Sequence, residues 1–215
     1  MTYGLRESGR VPNSEHKSQP WRIHELVPDF RLEDVWALPV GGGAGDFDQL
    51  LQLARHLDPA EGDSRASRFL WELRDRLGRW LGLGRVSLRS GERPAEDLRI
   101  PGTRETSLGE RLPEDLRGSA AGMELGGWPF EPLYRTEREA AAEISNRTVH
   151  GVAHFAWVDR GGGLYQGQMA VYVKPRGRLG EGYMALIKPF RYLVVYPALM
   201  RQLGRVWEGR APVGS

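Results

Sequence analysis

The last third of the chain, Arg147 to Trp207, leaves the fewest folding options: two strand-like runs joined by a glycine turn lead into one long amphipathic helix. RTVHGVAHFAWV (147–158) and LYQGQMAVYVK (164–174) are rich in β-branched and aromatic residues. Asp159-Arg160-Gly161-Gly162-Gly163 between them supplies the positive φ that a hairpin needs, so antiparallel pairing is expected. From Leu179 the period changes. Tyr183, Ile187, Phe190, Val194 and Pro197 recur at helical spacing, as do Leu186, Leu193, Met200 and Trp207, while Lys188, Arg191, Gln202 and Arg205 take the other face. Such a helix needs a sheet to cover, and the Leu186/Phe190/Leu193 row is predicted to face it. Pro189 and Pro197 are positions where it should bend. The expected fold is α+β, an antiparallel sheet wrapped around a long C-terminal helix. That geometry commonly encloses an apolar pocket.

A chain of 215 residues is most simply one domain, large enough for a core without metal or disulfide support. With no cysteine, disulfides, thiolate nucleophiles and cysteine-ligated zinc are excluded. The first twenty residues hold no apolar run of signal-peptide length, which makes the cytoplasm the expected compartment. Tyr183 to Leu203 approaches membrane-span length but contains Lys188, Arg191, Arg201 and two prolines, so it should not span. The net charge is only +2, and arginines alternate with acids rather than forming a stripe of one sign, which argues against nucleic acid.

Residues 1–19 are polar and aperiodic and are expected to be disordered, residues 20–208 to form the domain, and 209–215 a tail. Trp21 to Val40 reads as short extended pieces, since Pro28 and Pro39 forbid a continuous helix. Asp46 is placed to cap a helix over Phe47–Leu57, and a stronger helix is predicted over Arg65–Leu81, ended by Gly82 and Gly84. Between Arg85 and Gly127 the signal fails, apart from a short helix after Ser107. Thr136 followed by Glu139 has the form of a capping box opening a helix over Glu137–Ser145, and Asn146 suits the turn into the hairpin.

Gly41-Gly42-Gly43-Ala44-Gly45 before a helix resembles a phosphate loop, but Asp46 stands where a third glycine would be needed and no Lys-Ser/Thr follows. No cofactor is therefore expected. His150 and His154 lie four apart in a strand, where their Cα atoms would be about 13 Å apart, too far to share a metal ion. They project from one face with Val152. If that face is concave, they are polar handles in a pocket closed by the C-terminal helix and part of the Arg85–Gly127 region. Glu143, four residues from Glu139, and Tyr165 are the groups that would complete an acid–base pair with either imidazole. Trp36, Asn146, Trp157, Met169, Tyr172, Tyr183 and Phe190 are the candidate ligand contacts; Trp157, Tyr165, Met169, Tyr172 and Tyr183 form an aromatic and thioether set of a kind that is more often core.

PDFRLEDVWALPV (28–40), ASRFLWELRDRLGRWLGL (66–83), FEPLYRTEREAAAEISNRTVHG (130–151) and the run from Gly167 to Trp207 together carry a family likeness. From Trp21 to Trp207 the chain resembles an uncharacterised bacterial family, the one numbered twenty-eight sixty-seven among domains of unknown function. That family is similar in layout to the helix-grip superfamily of START lipid-transfer domains and polyketide cyclases. The resemblance implies a hydrophobic cavity between sheet and helix, and it transfers no catalytic residue. Three functions follow as expectations. The cavity binds a small hydrophobic or amphipathic metabolite such as a lipid, polyketide or isoprenoid-like compound. Alternatively it acts as a cofactor-independent cyclase, isomerase or dehydratase. A third reading makes the basic C-terminal helix a weak membrane-surface contact. Oligomeric state is not legible.

Overall fold

The structure, a computed structural model, describes residues 5–56, 107–125, 130–145 and 148–209, with the side chains of all of these except His56, Phe190 and Val194. In chain order it contains β1 (Gly9–Val11), α1 (Asn13–Lys17), α2 (Ile23–Leu26), β2 (Arg31–Gly42) and α3 (Phe47–His56). Two 3₁₀ turns, Leu108–Arg111 and Glu114–Leu116, precede β3 (Glu131–Arg135), β4 (Glu139–Ser145), β5 (Val149–Asp159) and β6 (Tyr165–Pro175). The chain then runs through α4 (Gly177–Phe190), a π-helical turn (Arg191–Val195) and α5 (Tyr196–Glu208). The predicted helix over Arg65–Leu81 lies outside the described residues, as does Asn146.

The hairpin and the long C-terminal helix are present as expected. Gly161, Gly162 and Gly163 take φ of 88, 63 and 80°, a left-handed run that β-carbon-bearing residues resist, and β5 pairs antiparallel with β6 from Val149↔Pro175 to Asp159↔Tyr165. All pairings are antiparallel, in the order β1-β2-β6-β5-β4-β3. Pro39 sits inside β2 and cannot donate to the ladder; the register slips between Ala37 and Gly41, so the strand absorbs it as an irregularity.

Four expectations are corrected. Trp21 to Val40 is a short helix and then one twelve-residue strand, not a series of extended pieces. Glu139–Ser145 is a strand, not a helix: Thr136 Oγ1 does accept the Arg138 and Glu139 N–H groups, yet the Thr136 N–H donates to the Glu139 carbonyl at 2.7 Å and closes a hairpin turn. Cross-strand pairing on both sides overrides the helix preference of its three alanines. The N-terminal segment is not loose, because Gly9–Val11 pairs with Val35–Ala37 and His16 is fully buried. Finally, Leu186 and Leu193 are 51% and 76% exposed, and the inward row is Met184, Tyr196, Leu199 and Leu203.

Side chains alternate between two covered faces of the sheet. On one, Val152, Ala156, Ala170 and Tyr172 pack beneath α2 and the Leu108–Leu116 turns. On the other, Ala140, Trp157 and Met169 pack against α3 and α5. At the far end, α4 approaches the sheet so closely that a β-carbon on Gly180 would stand 2.2 Å from the Thr148 carbonyl oxygen. Gly180→Ala is therefore expected to lower stability by about 2–3 kcal/mol, as forced overpacking does. Thermal denaturation would check this, and an unchanged midpoint would show that α4 can lift away. Among the described residues no helix is long and apolar enough to cross a membrane.

Candidate functional site

Both predicted histidines do project from one face with Val152, but it is the face turned away from the C-terminal helix. Strand alternation sets the pattern: the register Glu139↔Ala156, Glu143↔Val152 and Ala141↔His154 brings two carboxylates of β4 beside two imidazoles of β5. His150 Nε2 lies 2.7 Å from Glu143 Oε2, and His154 Nε2 lies 2.8 Å from Glu139 Oε2. Glu143 also accepts from the Ser107 hydroxyl and from the Leu108 N–H at 3.1 Å. Glu139 accepts from the Tyr134 hydroxyl and the Arg22 N–H, each at 2.8 Å. Burial pushes both carboxyls up, but these donors outweigh it and hold each below the usual glutamate range.

Burial depresses His154 despite the adjacent carboxylate, so the imidazole is neutral, with its Nε2 proton directed at Glu139. His16 lies against it, ring centroids 5.2 Å apart, with Nδ1 2.6 Å from Gln168 Oε1. Burial, reinforced by His154, lowers the His16 pKa to about 3. His24 bonds Tyr172 Oη at 3.2 Å and stands 5.5 Å from the His16 ring. Four of the chain's five histidines thus share one buried face. Three lie close together, since His16, His24 and His154 meet above β5 and β6.

The cavity that the fold class predicts lies on the opposite face. It encloses about 190 Å³ between the sheet, α3, the π turn and α5, lined by Leu38, Leu50, Ala153, Phe155, Met169, Leu199 and Leu203 among others. Among the described residues Arg191 is the one charged side chain in its wall. Its Nη2 donates to Asp34 Oδ2 at 2.7 Å, and the Tyr196 hydroxyl donates to Asp34 Oδ1 at 2.7 Å. Asp34 is completely buried, and that burial raises its carboxyl in spite of both partners.

The structure separates the predicted site residues. Met169 lines the cavity. Trp36 and Trp157 share its face, Trp36 stacked 4.5 Å from Tyr196 and Trp157 packed against Phe47 and Trp207. Tyr165 packs at the margin of the same cluster. Tyr183 joins Val149 and Val173 at the end of the sheet, and Tyr172 lies on the histidine face. His150, His154 and Glu143 do not reach the cavity: β5 presents them on its other side. The reason is parity, which places 150, 152, 154 and 156 together without saying which face the helix covers. Asp34, Arg191, Leu199 and Ala153 escaped sequence reasoning, as did Glu139 in its role as His154's partner. The register of β4 against β5 could have found Glu139, had β4 been read as a strand.

The profile of a family described as "Protein of unknown function (DUF2867)" matches residues 26–198, and the chain belongs to that family. No curated protein and no solved structure matches it.

Proposed function

We propose that this member of the DUF2867 family binds a small apolar or amphipathic molecule between its sheet and its C-terminal helix, in the manner of a START-like helix-grip domain. The observation that carries the reading is the cavity of about 190 Å³, walled almost wholly by aliphatic, aromatic and thioether side chains. A dry apolar cavity of about 150 Å³ accommodates benzene, so this one has room for a ring or a short branched chain of about ten non-hydrogen atoms. A whole lipid does not fit inside; its apolar end does. An isoprenoid-like unit suits the volume better than an extended polyketide. Native mass spectrometry of protein purified from its own host is the test, and a chain that always emerges without a small molecule would count against the reading.

Ala153 is partly open to the cavity, so Ala153→Phe should fill it. The wild-type melting temperature is expected to rise with added toluene, and the variant's should not, while its fold is retained. Equal shifts in both would place the toluene elsewhere. Catalysis at this cavity lacks support, since the two ionisable groups in its described lining, Arg191 and Tyr196, are both already bonded to Asp34.

Peripheral membrane contact has an observation of its own. Leu179, Leu186 and Leu193 stand at seven-residue spacing, 72%, 51% and 76% exposed, on the same helix as the exposed Lys188. Co-sedimentation with anionic vesicles tests it, and loss of sedimentation in a Leu186→Glu, Leu193→Glu chain is the expected outcome.

A further inference from the structure

The buried histidine face carries polar capacity that its own strands do not use. His154 Nδ1, His16 Nε2 and Trp21 Nε1 are all buried without a hydrogen-bond partner among the described residues, and both imidazoles are completely buried. Their rings are mutual neighbours, at 5.2 Å for His16–His154, 5.9 Å for Trp21–His154 and 6.4 Å for His16–Trp21. Such groups are normally satisfied, and leaving them unmade is costly.

The sheet beneath is shaped to receive a ring. His154 is flanked across both ladders by alanines, Ala141 on β4 and Ala170 on β6, so the surface beside it is low. Tyr172 stands to one side, 5.9 Å from the His16 ring. Gln168 Oε1 and Glu139 Oε1 offer acceptors, one taken by the His16 imidazole and the other by the Arg22 N–H. Every one of these sheet groups lies within the family-matched residues 26–198, whereas His16, Trp21, Arg22 and His24 lie before them. The receiving surface belongs to the shared fold, and what fills it comes from the segment that precedes it.

We propose that the His154–Glu139–Gln168–Tyr172 surface is a second binding site, one that takes a planar nitrogen heterocycle bearing a ring N–H, and that Asn13–His24 is a detachable plug whose His16 imidazole occupies it. His16 supplies what such a ligand would: a flat ring against His154 and Tyr172, and an N–H for Gln168. The groups facing it are His154 from β5, His24 from α2, Glu139 from β4, and Gln168 and Tyr172 from β6. Proton uptake by His16 would place a cation among two imidazoles with Glu139 as the sole acid, which favours the undocked plug. Acid thus opens the site.

Two measurements on the full-length chain test this. Hydrogen exchange of the wild type, corrected for intrinsic rate, should show residues 13–24 opening about tenfold more at about pH 5.5 than at about pH 8, while β5 and β6 keep their protection. Plug and sheet opening together would overturn the detachable plug. At about pH 8, where imidazole is mostly uncharged, imidazole should raise the melting temperature of His16→Gly saturably, and cyclopentanol at equal concentration should not. Adding Gln168→Leu should abolish that rescue. Rescue by cyclopentanol, rescue that survives Gln168→Leu, or no rescue at all would overturn the heterocycle site, and the exchange experiment stands even if His16→Gly does not fold.

Discussion

Replacing Glu139 by alanine is expected to lower the unfolding free energy by about 3–5 kcal/mol, the cost of removing one member of a buried charged network. The carboxylate is 4% exposed and accepts from three groups drawn from three parts of the chain: the Arg22 N–H, the Tyr134 hydroxyl and His154 Nε2. Alanine would leave the Tyr134 and His154 donors buried and unanswered and the part-buried Arg22 N–H without its acceptor, and would open a cavity between the sheet and the segment above it. Glu139→Gln keeps the shape and one acceptor, so it should cost less. Urea denaturation of the two variants checks the order, and an alanine variant with the wild-type midpoint would show that water takes over the carboxylate's bonds.

Acid should destabilise the fold well before ordinary carboxylates titrate. His16 has an ordinary pKa of 6.5 when unfolded and about 3 in the fold. Between those values the unfolded chain holds a proton that the folded chain refuses. Stability from this group is therefore complete above about pH 6.5 and falls by up to about 1.4 kcal/mol per unit below it, reaching roughly 5 kcal/mol by pH 3. His154, also depressed, acts in the same direction. The lowered carboxyls of Glu139 and Glu143 add a further loss below their ordinary value of 4.5, where the unfolded chain again takes up protons first. Urea midpoints measured from about pH 8 to about pH 4.5 should decline. His16→Asn should flatten that decline, and a flat wild-type profile would contradict the buried neutral imidazole.

The hairpin and the C-terminal helix were legible because each is long and its period persists. Burial direction was not. The helix has apolar residues on several rows, and spacing alone does not reveal that Met184, Leu199 and Leu203 turn inward while Leu186 and Leu193 face solvent. β4 was hidden by composition: its Ala140-Ala141-Ala142 run and the Thr136–Glu139 pair both have helical form, and only neighbouring strands decide otherwise. The N-terminal segment is attached by a three-residue strand, the buried Val11 and one buried imidazole, and a largely polar stretch with such scattered anchors has no apolar period to read. The candidate site divides in the same way. An apolar pocket followed from fold class, Met169 stands out only as one of an aromatic and thioether set, and the pairing of His150 and His154 to one face followed from alternation. Their partners Glu139 and Glu143 needed the register, and the placing of the cavity needed the position of the helix.

β1 is three residues long, yet it covers β2 opposite Val35, Trp36 and Ala37, the apolar middle of that strand. At the other margin of the sheet, β3 carries Pro132, which has no N–H to offer a newcomer. The two borders are thus guarded by different means, one by a backbone that cannot pair and the other by a short strip of the chain itself. A molecule whose first dozen residues were clipped by a protease would present β2 as an open ladder rich in β-branched and aromatic residues. Such copies should join edge to edge more readily than the intact chain, which makes the short strand β1 a cover for the ladder of β2.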